Sequence, residues 1–113
     1  MKKALLLIGT FLLLAFVMAS AAPVTLNFVV WSYNIKTIQD NISKFEAANP
    51  DIKVKLKDYP WTQYHDTMVL RLKGKTQTDI IYNGEDWLPE FAAAGWVVPL
   101  EDFFPGLMNW LKR

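Results

Sequence analysis

Hydrophobic and polar residues alternate with two different periods along this chain, and each switch of period marks an element. Residues 24–31, Val-Thr-Leu-Asn-Phe-Val-Val-Trp, start by alternating and then become apolar at successive positions, the pattern of a central strand covered on both faces. After Ser32-Tyr33-Asn34, the residues Ile35, Ile38, Ile42 and Phe45 recur at helical spacing until Asn49-Pro50 ends the helix. Ile52, Val54 and Leu56 then alternate with Lys53, Lys55 and Lys57, which predicts a half-exposed edge strand carrying a solvated lysine row. Trp61, Tyr64, Met68 and Leu72 share one face of a second helix, which is expected to end on a basic last turn and a glycine cap at Gly74. Residues 79–82, Asp-Ile-Ile-Tyr, read as a brief apolar strand. From Asn83-Gly84-Glu85-Asp86 the chain turns into a third helix carrying Leu88, Phe91 and Ala94, with Pro89 in its first turn and Gly95 closing it. A last amphipathic piece covers residues 107–113.

The order β-α-β-α-β-α predicts an α/β fold, a parallel sheet flanked by helices. Right-handed crossovers with the second strand at an edge give the strand order 2-1-3. No internal repeat or low-complexity segment interrupts it.

Ahead of these elements stand Lys2 and Lys3, an apolar run over residues 4–18 and the small residues Ala19-Ser20-Ala21-Ala22. This is the pattern of a secretory signal peptide over residues 1–21, cleaved after Ala21, and it implies a periplasmic or extracellular product. An uncleaved anchor is the alternative, since residues 4–22 are long enough to span a bilayer. Small residues followed by a strand-like segment suit a peptidase better. The chain has no cysteine, so neither a disulfide nor a lipid-bearing N-terminal cysteine is available to it. Removing the leader leaves ten basic against eleven acidic side chains. That balance argues against nucleic acid or an anionic membrane as partner.

No catalytic constellation emerges. His65 is the only histidine, so no metal site is expected, and a packing or surface role suits it better than a general base. Glu85 and Asp86 are adjacent carboxylates, which at a helix start serve more often as cap and dipole partner than as an acid and base pair. The chain contains no G-x-S-x-G, G-x-G-x-x-G or G-K-[ST] run, and no cofactor is expected. The strand ends are more informative, because ligands of open parallel sheets bind beyond the carboxyl ends where strand order reverses. Those ends carry residues 31–34 (Trp-Ser-Tyr-Asn), 59–61 (Tyr-Pro-Trp) and 82–87 (Tyr-Asn-Gly-Glu-Asp-Trp). Aromatic faces stack on the C–H faces of sugar rings, and amides and carboxylates hold hydroxyl pairs. Any one of Trp31, Trp61 and Trp87 can simply cap the core, but topology brings all three to one edge.

The strand ending at Trp31, the runs Phe45-Glu-Ala-Ala-Asn-Pro-Asp-Ile-Lys-Val54 and Pro60-Trp-Thr-Gln-Tyr64, Asp79-Ile80, and Phe91-Ala-Ala-Ala-Gly-Trp-Val-Val-Pro-Leu100 together resemble the N-terminal part of extracellular solute-binding proteins of family 1. These are the carbohydrate receptors of bacterial ABC importers, the group that includes the maltose-binding protein. The resemblance covers nearly all of the chain after the leader. It departs at the turn before Asp79, where the family has Gly and Pro close by and this chain has Gly74 further back and Thr78, so Asp79 is given a structural role only.

The resemblance implies a periplasmic-binding-protein-like fold of two α/β lobes joined by a hinge. Such a protein closes on a sugar and presents it to membrane permease subunits, with no enzymatic step, and it is expected to work as a monomer. On that reading residues 22–113 are the N-terminal part of one lobe, truncated. By position the ligand contacts are Tyr33 and Asn34 after the first strand, Trp61 after the second, and Asn83, Asp86 and Trp87 after the third, with Glu85 added on chemistry alone. The rival reading is a small exported α/β enzyme acting on glycans through Glu85 and Asp86, and a weaker one is a secreted interaction module.

Overall fold

The computed structural model of the chain describes residues 22–111. The leader lies outside the described residues. The elements are β1 (Val24–Trp31), α1 (Ile35–Ala48), β2 (Ile52–Tyr59), α2 (Trp61–Lys73), β3 (Ile80–Ile81), a 3₁₀ turn (Glu85–Trp87), α3 (Leu88–Ala93), a second 3₁₀ turn (Leu100–Asp102) and α4 (Leu107–Leu111). All strand pairing is parallel, in the order β2-β1-β3, as the sequence predicts. Because β2 and β3 flank β1 on opposite sides, right-handed connections put α1 on one sheet face and α2 on the other. Val30 is fully buried, and Val29 joins Tyr64, Met68 and Phe91 in a core on the α2 side.

Short as β3 is, its ladder runs further. The amide of Asp79 donates to Asn27 O at 2.9 Å and that of Tyr82 to Val29 O at 3.0 Å. Asp79 Oδ2 in turn accepts from the Asn27 backbone amide at 2.7 Å and from Asn27 Nδ2 at 2.9 Å. These two donors hold the Asp79 carboxyl below the usual carboxylate range. Its role is structural: it fixes the register of β3 on β1. At the outer edge of the sheet, Glu46 of α1 accepts the Val54 amide at 2.7 Å, which satisfies a donor that an edge strand would otherwise present to another chain. That amide, helped by the Lys53 ammonium at 3.3 Å, lowers the Glu46 pKa. Asn49 closes α1 with its side-chain amide on Phe45 O at 2.9 Å.

Three local expectations change in the structure. Gly74 ends α2, but with φ −80 it is not the left-handed residue; Lys75 takes that place at φ 54. The amides of Lys75 and Thr76 close the helix on Leu72 O and Arg71 O, a Schellman pattern moved one residue on. Gly74 instead sits close to the helix backbone, where a Cβ would make a tight contact of 3.0 Å with Leu70 O. The third helix begins at Leu88, after a 3₁₀ turn over Glu85–Trp87, and stops at Ala93, so that Ala94 lies just past its end. Phe91 is buried, whereas Leu88 is exposed. Gly95 does close α3 as expected, at φ 71, with Trp96 N donating to Phe91 O and the two rings in edge contact at 5.6 Å.

On its other face, α1 covers the sheet only in part, and no residue of the helix is buried. Between Ile42 and Phe45 of α1 and Leu26, Phe28, Val54 and Ile80 of the sheet lies an apolar groove of about 290 Å³. Val98, Leu100, Phe103 and Phe104 are likewise exposed.

Candidate functional site

Parallel strands point all three carboxyl ends the same way, so the segments that follow β1, β2 and β3 meet at one edge of the sheet. Strand order reverses on either side of β1, which is where open parallel sheets bind their ligands. The Ser32 amide continues the ladder to Tyr59 O at 2.8 Å, and Ser32 Oγ donates to Asp58 Oδ2 at 2.6 Å. The first two segments are thereby tied to each other.

The aromatic rings of this edge form one cluster. Trp31 contacts Trp61 edge-on at 5.2 Å and 88°, Tyr64 at 5.5 Å and 90°, and Tyr82 at 4.9 Å and 60°. Trp61 and Trp87 stack on each other, 5.0 Å between centroids and 27° between planes. Tyr64 holds the cluster from below. It is fully buried, and its hydroxyl lies between two strand carbonyls, 2.7 Å from Tyr82 O and 3.0 Å from Val29 O. Burial pushes its phenol well above the usual range, so it stays protonated and donates to this pair.

The predicted site residues divide into those the fold joins and those it leaves apart. Trp61 and Trp87 are in direct contact, yet they differ in exposure. Trp87 is half-buried and backed closely by Gly84, where a Cβ would make a tight contact of 3.2 Å with the ring. Trp61 is 56% exposed and presents its outer face to solvent. Asn83 precedes that turn, with its Oδ1 buried and unpaired among the described residues. Glu85 and Asp86 are exposed on the turn itself. Tyr33 and Asn34 are exposed in the segment after β1, and Asn34 is held in the left-handed region at φ 48, where Asn is among the few residues tolerated. Its side chain makes no cap bond to α1.

Tyr64, on the inward stripe of α2, and Tyr82, at the end of β3, support the cluster, and the sequence gives no sign that the Tyr64 hydroxyl joins the two strands. His65 was read as a packing residue, and it does pack, 5.0 Å from Trp87 and 5.9 Å from Phe91. Among the described residues no group of three or more His, Cys, Asp or Glu side chains gathers. No described helix is long and apolar enough to cross a membrane.

The elements thus form a doubly wound α/β unit with an aromatic cluster at its strand-end edge. The family model of bacterial extracellular solute-binding proteins matches residues 31–112. The chain belongs to that family, which is one of binding proteins rather than enzymes. Over 86 residues it is 29% identical to a protein of Streptomyces antibioticus described as an uncharacterized lipoprotein in the oleD 5′ region, covering 74% of this chain and 19% of that one. The solved structure of an extracellular solute-binding protein family 1 from Alicyclobacillus acidocaldarius subsp. acidocaldarius DSM 446 superposes with a TM-score of 0.65 at 24% identity, over 73% of this chain and 22% of that one. A de novo designed cysteine esterase superposes with a TM-score of 0.58 at 24% identity, over 65% and 18%. Both likenesses are of fold. The chain spans about a fifth of the length of these proteins.

Proposed function

We propose that this chain is the N-terminal part of one lobe of an extracytoplasmic substrate-binding protein, exported by the leader at residues 1–21, which delivers a sugar or oligosaccharide to the permease of an ABC importer. Family membership supports the substrate-binding role. The observation that carries the sugar reading is the exposed face of Trp61, backed by Trp87 and met edge-on by Trp31 at the strand-end edge. A flat apolar platform of this kind fits the C–H face of a pyranose. The same strand-end segments carry Asp86, Asn83, Glu85, Asn34 and Tyr33, side chains of the kind that hydrogen-bond hydroxyls. No glycine-rich loop offers a row of amides to phosphate.

The glycan-enzyme reading asks for a carboxyl group oriented by a partner. Glu85 and Asp86 enter no hydrogen bond or ion pair among the described residues, so no observation favours it. Calorimetry of the chain joined to its second lobe, against neutral mono- and oligosaccharides, amino acids and inorganic phosphate, tests the proposal. Heat from the saccharides alone supports it. Binding of amino acids or phosphate instead, or turnover of an oligosaccharide, overturns it.

A further inference from the structure

His65 does more than fill space beside the aromatic edge. It stands on α2, one turn beyond Trp61, and bridges to the segment that carries Trp87. Its Nε2 is 2.8 Å from Glu90 Oε2 on α3, and its Nδ1 is 3.2 Å from Asp66 Oδ1 on its own helix. Trp87 and Phe91, both uncharged, pack against the ring. The two carboxylates are therefore the charged groups that face it.

Carboxylates only accept hydrogen bonds. A neutral imidazole has one N–H and one lone pair, so it donates to one of the two and turns its lone pair on the other. The imidazolium alone donates to both. We propose that His65 is a positioning residue for the candidate site: in its protonated form it clamps the segment of residues 85–93 onto α2, and its deprotonation loosens the Trp61–Trp87 stack and weakens ligand binding. The effect on ligand binding rests on the function proposed above, whereas the clamp itself does not.

The sign of the effect follows from the environment. The hydrogen bond to Glu90, opposed by partial burial and assisted by Asp66, holds the imidazole above its ordinary value. A raised pKa means that the grip is complete below the unfolded value of about 6.5 and is lost as pH rises through the folded value. With the side chain 31% exposed, solvent screening keeps the contribution modest.

Because His65 is the chain's only histidine, its ring proton titrates alone in NMR spectra of the 113-residue chain. The expected midpoint lies above the ordinary histidine value, and Glu90→Gln lowers it. The exciton couplet of the stacked indoles in circular dichroism is expected to weaken with the same midpoint in the wild type and to lose that transition in Glu90→Gln and in Asp66→Asn. A couplet that does not change between pH 5 and pH 8, or a transition indifferent to both substitutions, overturns the clamp. In the two-lobed protein, sugar affinity is expected to fall about two- to fivefold across the transition, the size appropriate to a partly exposed pair. Sugar affinity that is flat in pH while the couplet changes overturns the link to binding. A clamp transition with no sugar bound at any pH overturns the proposed function and leaves the clamp standing.

Discussion

Trp61 and Trp87 stack face to face with their ring centroids 5.0 Å apart, so that each uses one face on the other and the two are no longer equivalent. Trp87 is enclosed by Trp61 on one side and backed by Gly84. Only Trp61 keeps a broad open face. A ligand ring arriving at the strand-end edge would stack on Trp61, with Trp87 as its backing.

The two substitutions should therefore separate stability from binding. Trp61→Ala is expected to leave the melting transition within about 1 kcal/mol of wild type, as for other exposed positions, and to weaken sugar binding in the two-lobed protein by about 1–2 kcal/mol. Trp87→Ala removes the floor of the cluster and is expected to cost about 3 kcal/mol of stability. Denaturant melts paired with calorimetry check this. If Trp87→Ala weakens binding with the fold unchanged, the assignment of backing and platform is the wrong way round.

The Asn27–Asp79 pair makes the fold sensitive to acid. The Asp79 pKa is depressed by donors that exist only in the folded state. Its contribution is therefore present above the unfolded value of about 3.9 and is lost as pH falls through the folded value. Wild type is expected to lose stability below about pH 4 more steeply than Asp79→Asn, whose curve should be flatter over the same window. Parallel acid titrations of the two, followed by circular dichroism, would rule out this role if the curves keep a constant separation.

Lys75 offers a gain. A lysine at φ 54 carries strain that glycine does not, and nothing in its position uses the side chain to close the helix. Lys75→Gly is expected to stabilise the fold by about 0.5–1 kcal/mol. Gly74→Ala, one residue earlier, relieves no left-handed strain and brings a Cβ 3.0 Å from Leu70 O, so it is expected to lack that gain. Thermal melts of the pair test whether the left-handed residue is the lysine or the glycine.

These neighbours also mark where sequence stops being legible. Strand order, the direction of the lysine row and the helical stripes follow from period-two and helical patterns, which burial enforces directly. Gly95 was legible because its neighbours Phe91 and Trp96 complete the motif. Gly74 misled because a glycine near a helix end serves equally for left-handed φ and for close approach, and only the backbone tells which. Leu88 and Phe91 share the helical spacing, and only the packing shows that Phe91 alone of the two reaches the core. The convergence of Trp31, Trp61 and Trp87 could be read from topology. That two of them would consume each other's faces could not, since it depends on ring orientations set by Tyr64 and Gly84. The carboxylate of Glu46 on the edge strand was hidden for the same reason: a surface glutamate in a helix carries no mark of what it faces.

Isothermal titration of a bound sugar to the two-lobed protein, comparing wild type, Asp86→Ala and Lys55→Ala, tests most directly whether the turn after β3 holds the ligand. Asp86 is exposed on the 3₁₀ turn beside Trp87, while Lys55 lies on β2 away from the strand ends. Loss of a carboxylate that accepts from ligand hydroxyls is expected to weaken binding by about 1–3 kcal/mol in Asp86→Ala and to leave Lys55→Ala at wild-type affinity. Equal affinities for wild type and Asp86→Ala, with the fold intact, would contradict the placement of the site at this edge.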